Sequence, residues 1–187
     1  MIHQSPEKEK IMAILRQIAQ LGQPVLREKA AVIPEPGAPA IQALIEDMLV
    51  TVADANGVGL AAPQVFESVS LFIVAIRPSP RYPQALRMEP VPMLNPEIVW
   101  ASEEMEHGWE GCLSIPGIRG LVPRHRRLRV RYLTREGAVL EENCEGFPAR
   151  VFQHEFDHLN GIVFVDRIPS HDLVTEKEYL RIISSAG

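Results

Sequence analysis

Apolar residues recur at helical spacing in one early segment of the chain. Within residues 39–55 they fall on one face of a 3.6-residue repeat, at Ile41, Leu44, Ile45, Met48, Leu49 and Val52. Pro39 suits a first helical turn, and Asn56 followed by Gly57 supplies an end. The pattern predicts an amphipathic helix over 39–55.

Three other stretches have the composition of strands. Residues 68–76 (SVSLFIVAI) form a β-rich apolar run, and residues 91–100 are predicted to form a further strand. In residues 127–134, apolar side chains alternate with arginines. Between the first two stretches, residues 77–93 contain five prolines, which predicts a surface loop.

Two further segments late in the chain have helical periodicity. Residues 148–160 have a proline near the first turn and Gly161 just past the end. Residues 173–183 form the second amphipathic segment. Because most strands precede the helix at 148–160 and no βαβ unit repeats, we expect an α+β fold of mostly antiparallel sheets packed around that helix. We expect one domain over 1–187, with residues 1–11 as a flexible polar extension.

The composition of the chain excludes several classes of protein. The 187 residues are 46% hydrophobic and 23% charged, which is typical of a globular domain. No apolar run approaches the roughly 20 residues of a membrane helix, and the opening MIHQSPEKEK is neither a secretory signal nor a transit peptide. We therefore expect a cytoplasmic protein without a membrane partner. A net charge of −5 argues against binding nucleic acid through whole-molecule electrostatics, and we expect no sequence-specific nucleic-acid partner.

The stretch QHEFDH, residues 153–158, has the spacing of a metal site. His154 and His158 are four residues apart, so a helix places both imidazoles on one face. Glu155 lies beside them, where a carboxylate can reach a water on the ion as general base. The pattern is short, and the simpler alternative is a surface helix with two solvated histidines.

The spacing of residues alone does not identify the third metal ligand. A metzincin continuation fails because Phe164 stands where its histidine is needed. A thermolysin-like completion would use Glu176 or Glu178 from a later helix. Ligands upstream in the chain would be Cys112, Cys144, His107 or His125. Cys112 lies in EGCLSIP (110–116), a constrained extended segment from which a thiolate would give a Cys-His-His set with an open fourth position.

Residues 57–64 read GVGLAAPQ, in which two glycines allow close approach of a ligand backbone and Gln64 offers an amide donor. GVGLAAPQ, EGCLSIP and QHEFDHLNG, in this order, resemble the three motifs of the peptide deformylases. The resemblance extends from residue 12 to about 166, through residues 12–30 and 119–137.

The resemblance implies a role for each motif residue. Cys112, His154 and His158 would bind the metal, and Glu155 would be the catalytic carboxylate. Gln64 and the backbone N–H of Leu113 would stabilise the oxyanion. The implied contacts of the bound peptide are Val58, Gly59, Glu110, Gly111, Arg119 and Val151. The implied ion is Fe²⁺ in the cell, with Zn²⁺, Ni²⁺ or Co²⁺ able to occupy the site, whereas coordination chemistry alone favours zinc.

The implied reaction is hydrolysis, by a metal-activated water, of the N-formyl group on the N-terminal methionine of newly synthesised polypeptides, with release of formate. The expected partners are nascent N-formylmethionyl peptides and, transiently, the ribosome. The alternatives are a thermolysin-like zinc endopeptidase, a thiol hydrolase with Cys112 as nucleophile, and a catalytically silent peptide-binding relative.

Two further sets of charged residues carry predictions. Residues 124–131 contain five arginines, which we interpret as one solvated strand face, with docking on ribosomal RNA as the alternative. Glu110 and Asp157 are predicted to accept the second N–H of the metal-binding imidazoles. Relative to the family, residues 77–93 look like an insertion, Met12 is an alternative start, and the tail after 166 is short.

Overall fold

The computed structural model of the chain describes residues 12–78 and 88–185. The extension predicted at residues 1–11 and the middle of the proline-rich segment lie outside these ranges. Within them, no helix has both the length and the apolar character needed to cross a bilayer.

The described residues form eight strands and three α-helices. The strands are β1 (Gly59–Ala61), β2 (Leu71–Val74), β3 (Val91–Ala101), β4 (Met105–Cys112), β5 (Ile115–His125), β6 (Arg127–Leu133), β7 (Val139–Glu145) and β8 (Leu173–Thr175). The helices are α1 (Pro39–Asp54), α2 (Phe147–Leu159) and α3 (Glu176–Ser185), and short 3-10 turns cover Pro24–Arg27, Ala62–Val65, Phe164–Arg167 and Ser170–Asp172.

The strands form two antiparallel sheets. One has five strands in the order β1-β2-β3-β6-β7, and the other has three in the order β4-β5-β8. Every strand pair is antiparallel. The α+β class predicted from the order of the elements is confirmed.

The five-stranded sheet is covered by α1 on one face and by α2 on the other. Because side chains alternate along a strand, Leu71 and Ile73 of β2 pack with the apolar face of α1. Phe72 and Val74 pack with α2, where Phe72 meets Phe152 edge to face at 5.1 Å between ring centroids. The periodicity at 39–55 therefore predicted α1 to within one residue.

Helix α2 lies between the two sheets and contacts β1, β2 and β7 on one side and β5 on the other. Both of its sides are therefore covered, and nine of its thirteen residues are buried. This placement brings the His-Glu-x-x-His stretch to the inner surface of the three-stranded sheet, where Cys112 ends β4.

Several parts of the fold differ from the prediction, and strands β1 and β7 had no counterpart in it. The segment 173–183 is not helical throughout, since Leu173–Thr175 is strand β8, paired with Ile118–Gly120 of β5. The hairpin of β4 and β5 was not predicted as strands. In β4 only Glu110 is buried, and polar residues and glycines separate its two large apolar residues, Met105 and Trp109, so no apolar run marks this strand.

Candidate metal centre

Three side chains from two elements converge between α2 and the three-stranded sheet. Cys112 comes from the end of β4, and His154 and His158 come from successive turns of α2. One ligand atom of each lies within 4.8 Å of the others, and Cys112 Sγ is 3.3 Å from His158 Nε2. Within the described ranges, this is the one group of three or more such ligands.

The chemistry of this donor set fits a first-row divalent ion. Ligands about 2.0–2.3 Å from a tetrahedral ion stand roughly 3.5 Å apart, which matches the sulfur–nitrogen separation. Burial opposes the charged form of Cys112, but the His158 charge and hydrogen bonds from both histidines hold its pKa well below the ordinary value. The thiolate, which is the form that binds metals, is therefore favoured.

Glu110 orients the first histidine. Its Oε2 lies 2.9 Å from His154 Nδ1, which leaves Nε2 as the ring nitrogen on the metal side. Arg124 donates two N–H groups to Glu110 at 2.9 and 3.0 Å, and Arg150 donates a third at 3.0 Å. Burial raises the pKa of Glu110, but the bonds from His154 and Arg124 hold it far below normal. Glu110 is thus an ionised acceptor beneath the site.

Asp157 does not serve an imidazole, and that prediction is wrong. It accepts from Arg124 at 2.6 Å and from Arg167 at 3.0 Å. Arg124 therefore bridges two buried carboxylates, Glu110 and Asp157. The cause is positional: Asp157 projects from α2 toward β5, away from the shared face of the two histidines.

Glu155 lies beside the three converging side chains, buried against the backbone of β1. A Cβ on Gly59 would stand 2.2 Å from Glu155 Oε1, so only glycine leaves room for the carboxyl group. Burial raises the pKa of Glu155 to about 7. A carboxyl group with such a pKa can both accept and return a proton near neutral pH.

Gln64 presents an amide donor to the same point. Its Oε1 accepts the Ala61 N–H at 2.8 Å, which fixes the amide. Its Nε2 then lies 3.4 Å from Cys112 Sγ and 3.1 Å from Ser114 Oγ. Leu113 follows Cys112 in the turn between β4 and β5, where its carbonyl accepts from Gln20 Nε2 at 3.2 Å. Ser114 had no signal in the sequence beyond its place in EGCLSIP.

A cleft opens onto this group of residues. Its lining includes Cys112, His154, Glu155 and Gln64, while His158 is buried behind it. All six residues implied to contact a peptide also line it, namely Val58, Gly59, Glu110, Gly111, Arg119 and Val151. Trp109 and Glu176 also line the cleft, and no sequence pattern predicted either residue there.

The acids proposed for a thermolysin-like site do not approach the histidines. Glu176 binds Arg119, and Glu178 pairs with Arg181 on the surface of α3.

The interpretation of 124–131 as one exposed face also needs correction, because Arg124 is buried. The other arginines of the run are exposed and paired with carboxylates, at Arg126, Arg127, Arg129 and Arg131.

Comparison with known proteins gives consistent matches. The family model described as "Polypeptide deformylase" matches residues 15–173. "Peptide deformylase 2" of Nostoc sp. is 54% identical over 171 residues, which is 91% of this chain and 96% of that protein. "Peptide deformylase 1" of Nitrosomonas europaea is 44% identical, over 83% of this chain and 88% of that one.

Solved structures agree. The Met-Ala-Ser-bound class I type b peptide deformylase from Acinetobacter baumannii is 46% identical with a TM-score of 0.82, over 84% of this chain and 100% of that chain. The peptide deformylase from Thermotoga maritima is 40% identical with a TM-score of 0.74, over 83% and 98%.

Proposed function

The chain belongs to the polypeptide deformylase family and is a metal-dependent hydrolase, and we propose how its residues remove the formyl group from N-formylmethionyl peptides. The observation that carries this proposal is the convergence of Cys112, His154 and His158 beside Glu155 and Gln64. A thiolate and two imidazoles held together at one end of a cleft suit a catalytic ion with an open position.

Cys112, His154 and His158 would hold the ion. When bound, a divalent ion supplies a Lewis acid and lowers the pKa of water. From the family membership we propose Fe²⁺ in the cell, with Zn²⁺, Ni²⁺ or Co²⁺ accepted by the same donor set, although coordination chemistry alone favours zinc. Metal analysis of anaerobically purified protein tests this choice, and zinc as the dominant ion would contradict it.

Glu155 would act as the proton carrier. Held against Gly59, its carboxylate takes a proton from the attacking water and delivers it to the leaving amine of the methionine. One group can perform both transfers because the amine needs a proton as the C–N bond breaks.

Gln64 and the backbone N–H of Leu113 would stabilise the oxyanion that forms when water attacks the formyl carbon. The amide of Gln64 is already fixed by Ala61, so it needs little reorganisation during the reaction. Loss of one such donor typically costs about 10²–10³ in rate. Gln64 is 2% exposed, which keeps competing water away.

The peptide would lie along the cleft. Gly59 and Gly111 line the cleft, and the backbone of Gly59 would pair with the extended peptide. The formyl carbon carries only hydrogen, so a tight site excludes acetyl groups by size. Because such substrates are newly made chains, we propose that the enzyme acts in the cytoplasm with a transient ribosome contact.

Release of formate from formyl-Met-Ala-Ser, with and without chelator, tests the proposal. We expect formate release that chelator abolishes and added Fe²⁺ or Ni²⁺ restores. Cys112→Ser should lose both metal and activity, whereas Cys144→Ser, the matched control on β7, should keep both. Cleavage of an internal peptide bond without formate release would instead support an endopeptidase.

A further inference from the structure

Glu176 reaches the catalytic cleft from beyond the residues that the family model matches. It is the first residue of α3 and lies three positions after the end of the family match at residue 173. Its carboxylate lines the cleft and accepts two N–H groups of Arg119, from Nε at 2.6 Å and from Nη2 at 3.0 Å. Pairing of Val174 with Arg119 across β8 and β5 brings Glu176 to this position.

The Arg119 guanidinium that Glu176 holds is packed into the wall of the cleft. Arg119 is only 5% exposed. A Cβ on Gly111 would stand 1.9 Å from Arg119 Nη1, so the guanidinium lies directly against the backbone next to Cys112. Its other side lies over the Tyr179 ring at 5.4 Å, and Tyr179 in turn packs against Trp109 at 5.4 Å between centroids.

This arrangement fixes the plane of the guanidinium. An arginine side chain has many rotamers, and two parallel N–H···O bonds select one of them. A buried cation also needs a counter-charge, and Glu176 supplies one. With Glu176 removed, the guanidinium would turn away from Gly111 toward water, and the wall beside Gly111 would lose its shape.

We propose that Glu176 is a positioning residue that holds Arg119 against Gly111 and so shapes the surface that receives the peptide beyond its methionine. This inference rests on the proposed function. Glu176 acts through Arg119 and not on the reacting atoms, because Glu155 and Gln64 have their own supports in Gly59 and Ala61. Its loss should therefore weaken peptide binding and leave the chemical step intact.

The test compares Glu176→Ala and Glu176→Gln with Glu178→Ala, a control that removes an exposed ion pair from the same helix. The first readout is the Kd of the unformylated product Met-Ala-Ser by calorimetry, and the second is KM and kcat for formyl-Met-Ala-Ser. We expect Glu176→Ala to raise Kd and KM about tenfold, with kcat within twofold. Glu176→Gln keeps one acceptor and should fall between Glu176→Ala and wild type.

A third readout separates binding from general damage. Formyl-methionine alone makes no contact beyond its methionine, so its kcat/KM should change less than twofold in Glu176→Ala. Equal losses for both substrates, or an unchanged Kd for Met-Ala-Ser, would overturn the inference. If wild type binds Met-Ala-Ser and releases no formate, the proposed function fails, while the Kd comparison still decides the role of Glu176.

Discussion

Replacing Gly59 by alanine tests whether the position of the Glu155 carboxylate controls the reaction. Gly59 is in β1, next to the cleft, and its missing side chain is the space that Glu155 occupies. The added methyl group carries no charge and forms no hydrogen bond. The substitution therefore perturbs the geometry of the carboxylate without changing its chemistry.

The magnitude follows from the packing. The new Cβ would stand 2.2 Å from Glu155 Oε1 and 2.8 Å from its Cγ, whereas unbonded heavy atoms rest about 3.5 Å apart. The carboxylate must therefore retreat by roughly 1 Å. A displacement of about 1 Å in a reacting group can cost about 100-fold in rate, which corresponds to about 2.7 kcal/mol.

The assay is kcat for formyl-Met-Ala-Ser, with metal content measured for each preparation. Gly59→Ala should lower kcat about 100-fold, while overpacking lowers Tm by roughly 5 °C. Gly37→Ala is the matched control, because a Cβ there meets nothing within 4 Å. A Gly59→Ala enzyme that keeps its metal and a kcat within threefold of wild type would refute the reasoning.

Two further predictions concern stability. Arg124→Met leaves the buried carboxylates of Glu110 and Asp157 short of a counter-charge, so it should lower the free energy of unfolding in urea by about 3 kcal/mol. Arg131→Met breaks an exposed ion pair and should lower it by less than about 0.5 kcal/mol. Equal losses in the two variants would contradict the role of Arg124. Burial raises the pKa of Tyr132 to about 12 from 10.0, so the folded chain holds this proton more tightly, and the stabilisation is complete below pH 10 and lost as the pH rises toward 12. Tyr132→Phe should flatten that decline in the free energy of unfolding, and an unchanged slope would count against it.

The elements with strong periodicity could be predicted from the sequence. Helices α1 and α2 each have a proline at the first turn and a glycine shortly after the end, and α1 also has a regular apolar face, so the predicted bounds lie within one residue of those observed. Strands β2 and β6 were marked by an apolar run and by alternation. The geometry that brings Cys112 to the histidines was not derivable, because it depends on how β4 packs against α2.

The features that the sequence did not predict have physical causes. Strand β4 has no apolar run and contains Gly108 and Gly111, which are glycines because the side chains of Arg150 and Arg119 occupy the space beside them. A sequence pattern cannot show such long-range packing. The arginines of residues 124–131 lie on two strands, because β5 ends at His125 and the next strand begins at Arg127. Arg124 therefore belongs to a different strand and points inward.

X-ray absorption of the zinc-loaded protein tests most directly whether Cys112, His154 and His158 bind one ion. We expect one sulfur at about 2.3 Å and two imidazole nitrogens at about 2.0–2.1 Å. The sulfur should remain in Cys144→Ser, whereas Cys112→Ser should no longer hold the zinc. A spectrum without sulfur in the wild-type protein, or with a protein carboxylate as the third ligand, would contradict the account.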